Sequence, residues 1–207
     1  MLKMVGQKLK LLLQKEKKNM TKEMLKKQEI GIVKKPDTLE NRAKCSYLSL
    51  GSNLGNRNRN LNKAKILLIS YGIKIIKCSR IYETESWPNK KLPKYLNIVI
   101  KICTLKTPFE LFKILKIIEN KLGRKKLKRN SPRTCDIDIL DYEQKLINKN
   151  LSNFNLTIPH PRLHLRNFVL IPLFEIDKNW KHPKLNVVIS RLLLKIKPNN
   201  LRSIKVI

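Results

Sequence analysis

The sequence predicts an α+β domain with a βαββαβ core and additional C-terminal helices. Two observations support this prediction. Four segments carry apolar, β-prone residues of strand length, and two segments between them have helical periodicity with recognisable ends. Strands and helices in this order form the split-βαβ, or ferredoxin-like, pattern. A chain of 207 residues with 42% hydrophobic content can build one such core together with an appendage.

Residues 1–44 form a lysine-rich extension, which we expect to be mobile or loosely docked, so that the domain proper comprises residues 45–207. Residues 1–27 have the composition of a basic amphipathic helix, and a membrane-surface or partner helix is the alternative interpretation. Several acidic residues and the lack of serine are atypical of a mitochondrial transit peptide. No apolar run approaches the roughly 20 residues of a membrane span, so we expect a cytoplasmic protein without membrane association.

The net charge of +31 would ordinarily indicate a nucleic-acid partner. However, the lysines are spread along the whole chain and aromatic residues make up only 6%, whereas nucleic-acid modules concentrate charge and interleave aromatic residues. We therefore expect no specific nucleic-acid partner. A basic nucleic-acid-binding protein on a ferredoxin-like fold is the runner-up hypothesis.

The four cysteines show no C-x-x-C spacing and lie in apolar, strand-like runs. This pattern predicts buried, reduced thiols in a cytosolic protein. They are Cys45, Cys78, Cys103 and Cys135.

The first half of the core is a strand that begins near Cys45, a glycine-containing turn and a helix over residues 57–71. Neither G-K-[ST] nor G-x-G-x-x-G is present, so the sequence favours a tight turn over a phosphate-binding loop. Gly72 ends the helix, and strands are predicted over residues 73–82 and 95–105, with a polar loop between them.

The second helix is predicted from Thr107 to Leu122 by a capping threonine, a proline at the first helical position and a terminating glycine. Its predicted buried stripe comprises Phe109, Phe112, Leu115, Ile118 and Leu122. After the central strand, residues 141–150 suggest a turn and a short strand. An apolar helical run ends at Ile176, and a last helix is expected over residues 184–195.

Asp136 and Asp138 alternate with Ile137 and Ile139, so at strand period the aspartates share one face while the isoleucines enter a core. Paired carboxylates suit Mg²⁺, which usually binds one or two carboxylates together with substrate phosphates. The basic residues just upstream suit phosphate oxygens. The pattern therefore indicates a metal–nucleotide phosphate site, and a merely salt-bridged surface is the alternative.

Four further residues are candidates for the site, each with a structural alternative or a restriction. Glu119 lies one turn before the basic loop, either in contact with a nucleotide or as an inert exposed carboxylate. Asn97, inside an apolar strand, either reads a polar heterocycle or is a satisfied core amide or part of a bulge. Trp87 is either a packing plug or a lid over a flat ligand. His160 lies on a rigid turn between two prolines, where zinc binding with His164 is disfavoured.

Six motifs together resemble the 6-hydroxymethyl-7,8-dihydropterin pyrophosphokinases of folate biosynthesis. They are GSNLGN, Y-x-T-x-S-W, YLN, E-x-x-x-G-R, R-N-S-P-R-T-C-D-I-D-I-L and P-H-P-R-L-x-x-R-x-F-V-L-x-P-L, in order over about residues 45–195. The resemblance implies a ferredoxin-like domain that transfers pyrophosphate from ATP to the hydroxymethyl oxygen of the pterin and releases AMP.

The resemblance also implies roles for individual residues. Two Mg²⁺ ions would bind Asp136 and Asp138, and Arg124 and Arg133 resemble the catalytic arginines. The nucleotide-contacting positions are Glu119, His160 and Arg166; a basic loop closing over ATP adds Lys126 and Arg129. The pterin positions are the Asn97 amide, the aromatic faces of Tyr95 and Phe168, and the backbone at Thr84 and Trp87. We assign no general base and expect a monomer.

Three residues depart from the family pattern. Ser131 replaces the usual glycine or alanine, Asn130 a common aromatic residue and Cys135 an aliphatic one. Ser131 is the basis of a further alternative, a catalytically degenerate pyrophosphokinase kept as a structural partner. The extension over residues 1–44 has no counterpart in compact members, and a linker, a regulatory arm or part of a fusion to another folate enzyme are its possible roles.

Overall fold

An antiparallel sheet forms the centre of the computed structural model, which describes residues 42–124, 131–151 and 154–207. The core strands are β1 (Lys44–Ser52), β2 (Lys74–Cys78), β3 (Tyr82–Thr84), β4 (Tyr95–Thr104) and β5 (Asp136–Tyr142), and the two helices between them are α1 (Arg57–Ser70) and α2 (Pro108–Lys121). β1 lies between β5 and β4, and both β2 and β3 pair with the other edge of β4. This order confirms the predicted ferredoxin-like core.

The predicted strand over residues 73–82 is wrong in one respect, because the chain leaves the ladder between β2 and β3. Ser79 lies at the break, and its N–H donates to the Val99 carbonyl at 2.9 Å. The Ser79 hydroxyl accepts the Val99 N–H at 3.0 Å. A side chain therefore takes the place of a ladder carbonyl, and the strand divides in two.

Helix α2 has the predicted start and end. Thr107 and Glu110 form a reciprocal capping box, Pro108 is the first helical residue and Gly123 follows the helix with φ +84°. The predicted buried stripe needs a correction: Leu115 and Ile118 are fully buried, but Leu111 is buried where Phe109 was expected. Phe109 is only half-buried, beneath the Lys113 ammonium group.

The C-terminal part holds more strands than predicted. It contains β6 (Ile147–Leu151), β7 (Phe154–Ile158), a 3-10 turn (Leu163–Leu165), α3 (Asn167–Ile176), β8 (Lys181–His182), β9 (Val187–Val188), α4 (Ile189–Leu194), α5 (Pro198–Arg202) and β10 (Lys205–Val206). The helix expected over residues 184–195 begins only at Ile189. Asn186 has φ +57°, a left-handed conformation that forms the turn between β8 and β9 instead of a helix.

The sheet is covered differently on its two faces. Helices α1 and α2 cover one face, where Leu48, Ile100 and Ile137 lie in the larger core cluster. On the other face, α3 and α4 pack over Tyr47 and Val99 in a second cluster. Among the described residues, no helix combines the length and apolar character needed to cross a membrane.

The burial predicted for the cysteines is wrong for three of the four. Cys135 is fully buried, Cys103 is half-buried, and Cys45 and Cys78 are exposed. Cys78 ends the edge strand β2, which is largely exposed. Cys45 and Cys103 lie at one end of β1 and β4, beyond the residues that the second cluster covers. Apolar neighbours in the sequence therefore did not ensure burial.

Candidate active site

Asp136 and Asp138 lie on the same face of β5, opposite Gly51 and Ser49 of β1. Between them, Ile137 points to the opposite face and is 1% exposed within the larger core cluster. Both carboxylates are partly accessible, with side-chain exposures of 25% and 32%. The strand alternation thus brings two acidic side chains together on the less covered face of the sheet.

Asp136 lies between two arginines. Arg124 Nη1 is 2.7 Å from Asp136 Oδ1, and Arg133 Nη1 is 2.6 Å from Oδ2. Burial alone would raise the pKa of Asp136, but the two guanidinium groups outweigh it and lower the pKa. The Asp136 carboxylate is therefore ionised at neutral pH and lies between two positively charged guanidinium groups.

Asp138 faces a second basic group of side chains. Arg166 Nη1 is 3.5 Å from Asp138 Oδ2, and His160 Nε2 is 3.7 Å from the same oxygen. His160 Nδ1 accepts the Arg162 N–H at 3.1 Å, and His160 Nε2 lies 3.4 Å from Arg166 Nη1. Burial lowers the pKa of His160, and the nearby arginines oppose the raising effect of Asp138.

Glu119 is not the exposed carboxylate of the inert interpretation, because it is 1% exposed. Its Oε1 accepts the Ile137 N–H at 2.7 Å, and its Oε2 is 2.9 Å from Lys116 Nζ. Its Oε2 also forms an ion pair with Arg124. Glu119 thus connects α2, the backbone of β5 and one of the two arginines around Asp136.

A second group of predicted residues lies in the same cross-strand row as Asp136. In this row Asn97 of β4 is paired with Gly51 of β1, and Gly51 is paired with Asp136. Two strand spacings separate Asn97 from Asp136, or about 10 Å between their Cα atoms. The amide and the carboxylate therefore lie on one face, with glycine between them.

Asn97 is 6% exposed, and its Nδ2 donates to Thr84 Oγ1 at 2.9 Å. The pairing of β4 with β1 continues without a shift through Asn97, which excludes the bulge alternative. A Cβ on Gly51 would lie 3.1 Å from Asn97 Oδ1 and 3.5 Å from the Tyr95 ring. A larger residue in place of Gly51 would therefore push the Asn97 amide, and a bulkier one also the Tyr95 ring, away from its observed position.

The other predicted site residues differ in their burial. Phe168, near the start of α3, is half-buried, and the Arg166 guanidinium lies 5.5 Å from its ring centroid. The Trp87 side chain is 77% exposed, so it does not plug the core. Lys126 and Arg129 lie outside the described residues.

Asn53 was not among the predicted site residues. It is 1% exposed, and its Oδ1 accepts the Arg133 N–H at 2.7 Å while its own N–H donates to the Arg133 carbonyl. Its Nδ2 donates to Ser86 Oγ and to the Pro93 carbonyl. Asn53 thus fixes Arg133 and the loop after β3 together, and its place in GSNLGN was the available signal.

Paired carboxylate oxygens, an ionised Asp136 and surrounding arginines fit a divalent cation that is bound together with phosphates. The fold and the site therefore define an α+β enzyme of the nucleotide-dependent phosphoryl- or pyrophosphoryl-transfer class. The family model described as 7,8-dihydro-6-hydroxymethylpterin-pyrophosphokinase matches residues 47–178. The chain belongs to this family, which confirms the resemblance seen in the sequence motifs.

Two bacterial relatives are both named 2-amino-4-hydroxy-6-hydroxymethyldihydropteridine pyrophosphokinase. The Bacillus subtilis protein is 40% identical over 132 residues, which cover 63% of this chain and 77% of the relative. The Aquifex aeolicus protein is 38% identical over 154 residues, which cover 74% of this chain and 91% of the relative.

Two longer proteins also match. The folic acid synthesis protein of Pneumocystis carinii is 37% identical over 172 residues, which cover 83% of this chain and 22% of that protein. A crystal structure of wild-type Plasmodium falciparum HPPK-DHPS with pterin and p-hydroxybenzoate has a TM-score of 0.62 at 17% identity, covering 80% of this chain and 47% of the other. The chain thus spans about a fifth and about half of these two proteins.

Proposed function

We propose that this protein transfers pyrophosphate from ATP to 6-hydroxymethyl-7,8-dihydropterin. The hydroxymethyl oxygen attacks the β-phosphorus of ATP, the bond from that phosphorus to the oxygen bridging the α-phosphate breaks, and AMP leaves. We assign no general base and propose that the hydroxyl proton passes to solvent. The products are AMP and the pyrophosphorylated pterin. The reaction is placed in the cytoplasm, with the protein acting as a monomer.

One observation supports this proposal above the others: Asn97, Gly51 and Asp136 lie in one row across three strands. An amide at one end of the row suits the polar edge of a pterin. A carboxylate at the other end suits a cation bound to phosphates. The distance of about 10 Å between the two Cα atoms leaves room for the acceptor ring and the reacting phosphorus side by side.

Asp136 and Asp138 are the proposed ligands of two Mg²⁺ ions. Bound magnesium supplies neutralisation of the triphosphate charge and orientation of its oxygens. In the structure the same carboxylates are paired with Arg124, Arg133 and Arg166. These guanidinium groups can exchange a carboxylate for a phosphate oxygen, since both ligands accept the same fork of N–H donors.

The remaining assignments are proposed from the family resemblance. Arg124 and Arg133 stabilise the charge that develops on the transferred group, and Glu119 keeps Arg124 in place. Glu119, His160, Arg166, Lys126 and Arg129 are the proposed ATP-contacting residues. The pterin ring lies between Tyr95 and Phe168, with its edge on Asn97 and on the backbone at Thr84 and Trp87.

The test is a turnover assay in which both products are identified by chromatography. We expect AMP and the pyrophosphorylated pterin to form in equal amounts, and only when Mg²⁺ is present. ADP as the nucleotide product, or turnover that chelation of divalent ions does not affect, would reject the proposal. Replacing Ser131 by glycine in the same assay tests the degenerate alternative, which requires an inactive natural chain.

A further inference from the structure

Residues 198–207 run between two parts of the proposed pterin site. Strand β10 pairs antiparallel with β3, with Lys205 opposite Glu83 and Val206 opposite Tyr82. The Ile207 N–H donates to the Ile81 carbonyl at 3.0 Å. β3 has only three residues and ends at Thr84, the hydrogen-bond partner of Asn97.

The same segment is bonded to the start of α3 through Asn167. The Asn167 Nδ2 donates to the Asn200 carbonyl and, at 3.3 Å, to Ser203 Oγ. Its Oδ1 accepts the Phe168 N–H at 2.8 Å. One side-chain amide therefore joins this segment to the backbone of Phe168.

Both connections act where local structure is weak. A three-residue strand paired on one side only is marginal, and β10 gives β3 a second neighbour. The first N–H groups of a helix have no partner within the helix, and α3 has no capping side chain at Arg166. Asn167 supplies the acceptor for Phe168, and its own orientation is fixed by Asn200 and Ser203.

We propose that residues 198–207 are a brace that sets the spacing between β3 and Phe168 and so determines pterin affinity. Asn167 and Lys205 are its positioning residues. This inference rests on the proposed function, because it concerns the ring-binding walls of that site. Among the described residues, the hydrogen bonds of the brace reach β3 and Asn167 but not Asp136 or Asp138, so its main effect is on the pterin, and a smaller effect on ATP is expected through Arg166, the neighbour of Asn167.

The test separates the two connections with matched variants of the full chain. Asn167→Asp keeps an acceptor for the Phe168 N–H but cannot donate to residues 200 and 203. The Ile207 N–H donates to the Ile81 carbonyl, and backbone groups of alternate residues point to the same side of a strand. The Lys205 N–H in β10 is therefore directed at β3, whereas the Val206 N–H points away from it. Lys205→Pro therefore removes a bond of the brace, and Val206→Pro is its control.

We expect Asn167→Asp and Lys205→Pro each to raise the KM for the pterin about 10-fold, equivalent to about 1.4 kcal/mol. The KM for ATP should stay within about twofold, and Val206→Pro should match the natural chain. An unchanged pterin KM in both variants, or an equal rise in both KM values, would overturn the brace. A natural chain without turnover would instead reject the proposed function.

A second inference concerns a pair of thiols, independent of the brace. Cys45 and Cys103 are directly opposite on β1 and β4, with their sulfur atoms 3.3 Å apart. The Cys45 carbonyl accepts the Glu143 N–H, so the backbone polar groups of Cys45 point to the β5 side of β1 and not to β4. Cys45 and Cys103 are therefore a non-hydrogen-bonded pair of the β1–β4 ladder. In such pairs the Cα atoms are about 4.5 Å apart, within the range that a disulfide spans.

We infer that Cys45 and Cys103 are a site of reversible disulfide formation by small-molecule disulfides such as oxidised glutathione. The exposed Cys45 thiolate attacks the glutathione disulfide, and one glutathione leaves as a thiol. Cys103 then attacks the Cys45 sulfur of the mixed disulfide and displaces the second glutathione. Two protein thiols are oxidised, one glutathione disulfide is reduced, and both protons leave on the two glutathione thiols.

The test is incubation of the full chain with oxidised glutathione, followed by alkylation and peptide mass spectrometry. We expect a cross-linked pair of peptides that lacks two hydrogen atoms, and an unfolding temperature about 5 °C higher that dithiothreitol reverses. Cys78→Ser should behave like the natural chain and Cys45→Ser should lose both effects. Glutathione that stays attached to Cys45, or complete alkylation of both thiols after oxidation, would overturn the inference.

Discussion

Asn97 and Asp136 occupy the two ends of one cross-strand row, with Gly51 between them. The row places an amide that suits a heterocycle about 10 Å from a carboxylate that suits a metal ion, measured between Cα atoms. Both lie on the face of the sheet that α1 and α2 do not cover. The two halves of the proposed reaction therefore depend on strand register, which fixes the row.

The Gly51→Ala variant should bind the pterin more weakly. Its Cβ would lie 3.1 Å from Asn97 Oδ1, so the amide must move to relieve the contact. We expect the KM for the pterin to rise about 10-fold, a loss of about 1.4 kcal/mol, with the KM for ATP unchanged. Steady-state kinetics with each substrate varied in turn measure both values. An equal rise for both substrates would contradict the assignment.

Asp138→Ala should lower kcat by about 10³-fold, because a carboxylate that positions the charged phosphates is lost. Asn97→Ala should instead act mainly on the pterin KM. Glu143→Ala is the matched control, since among the described residues its carboxylate forms an ion pair with Lys145, away from the proposed site. Small and similar effects of Asp138→Ala and Asn97→Ala on kcat would argue against their separate roles.

Glu119→Ala should destabilise the fold by about 1–3 kcal/mol, because it leaves the Ile137 N–H without its acceptor and removes one of the two carboxylates that pair with Arg124. Glu119→Gln should cost less, since its amide oxygen can still accept the Ile137 N–H. Urea denaturation of the two variants gives the comparison. If both variants unfold at the same urea concentration as the natural chain, Glu119 has no anchoring role.

His182 should make the fold less stable in mild acid. Burial, with smaller contributions from His164 and Lys184, lowers its pKa from 6.5 to about 4. Above pH 6.5 both the folded and the unfolded forms are neutral; as the pH falls toward 4, the unfolded form gains a proton that the folded form does not. The loss is at most about 3 kcal/mol. Urea midpoints at pH 7 and pH 4.5 measure it, and His182→Gln should show a smaller drop; an equal drop would exclude His182 as the cause.

Local signals predicted much of the fold. The capping box at Thr107, the glycine after α2 and the alternation at Asp136 each depend on a few neighbouring residues, and each has the expected geometry. The same alternation did not predict the burial of Cys45 correctly. Whether a strand residue is buried depends on how far α3 and α4 extend over the sheet, and Cys45 lies beyond the second cluster. Burial is a property of distant packing, which periodicity does not contain.

Other features depended on long-range pairing that no local pattern carries. The role of Glu119 required β5 to lie beside α2, and the pairing of β10 with β3 joins residues about 120 positions apart in sequence. Asn53 was visible as part of GSNLGN, but its contacts with Arg133 and Ser86 follow only from the folded chain. The candidate site was thus predicted by residue type and motif, and its supporting contacts were not.

The most direct test of this account is a crystal structure with Mn²⁺, a non-hydrolysable ATP analogue and the pterin. We predict anomalous scattering from two ions in contact with the carboxylates of Asp136 and Asp138, and the pterin edge on the Asn97 amide beside Gly51. Metal ions bound away from both carboxylates, or a pterin ring outside the space between Tyr95 and Phe168, would contradict it.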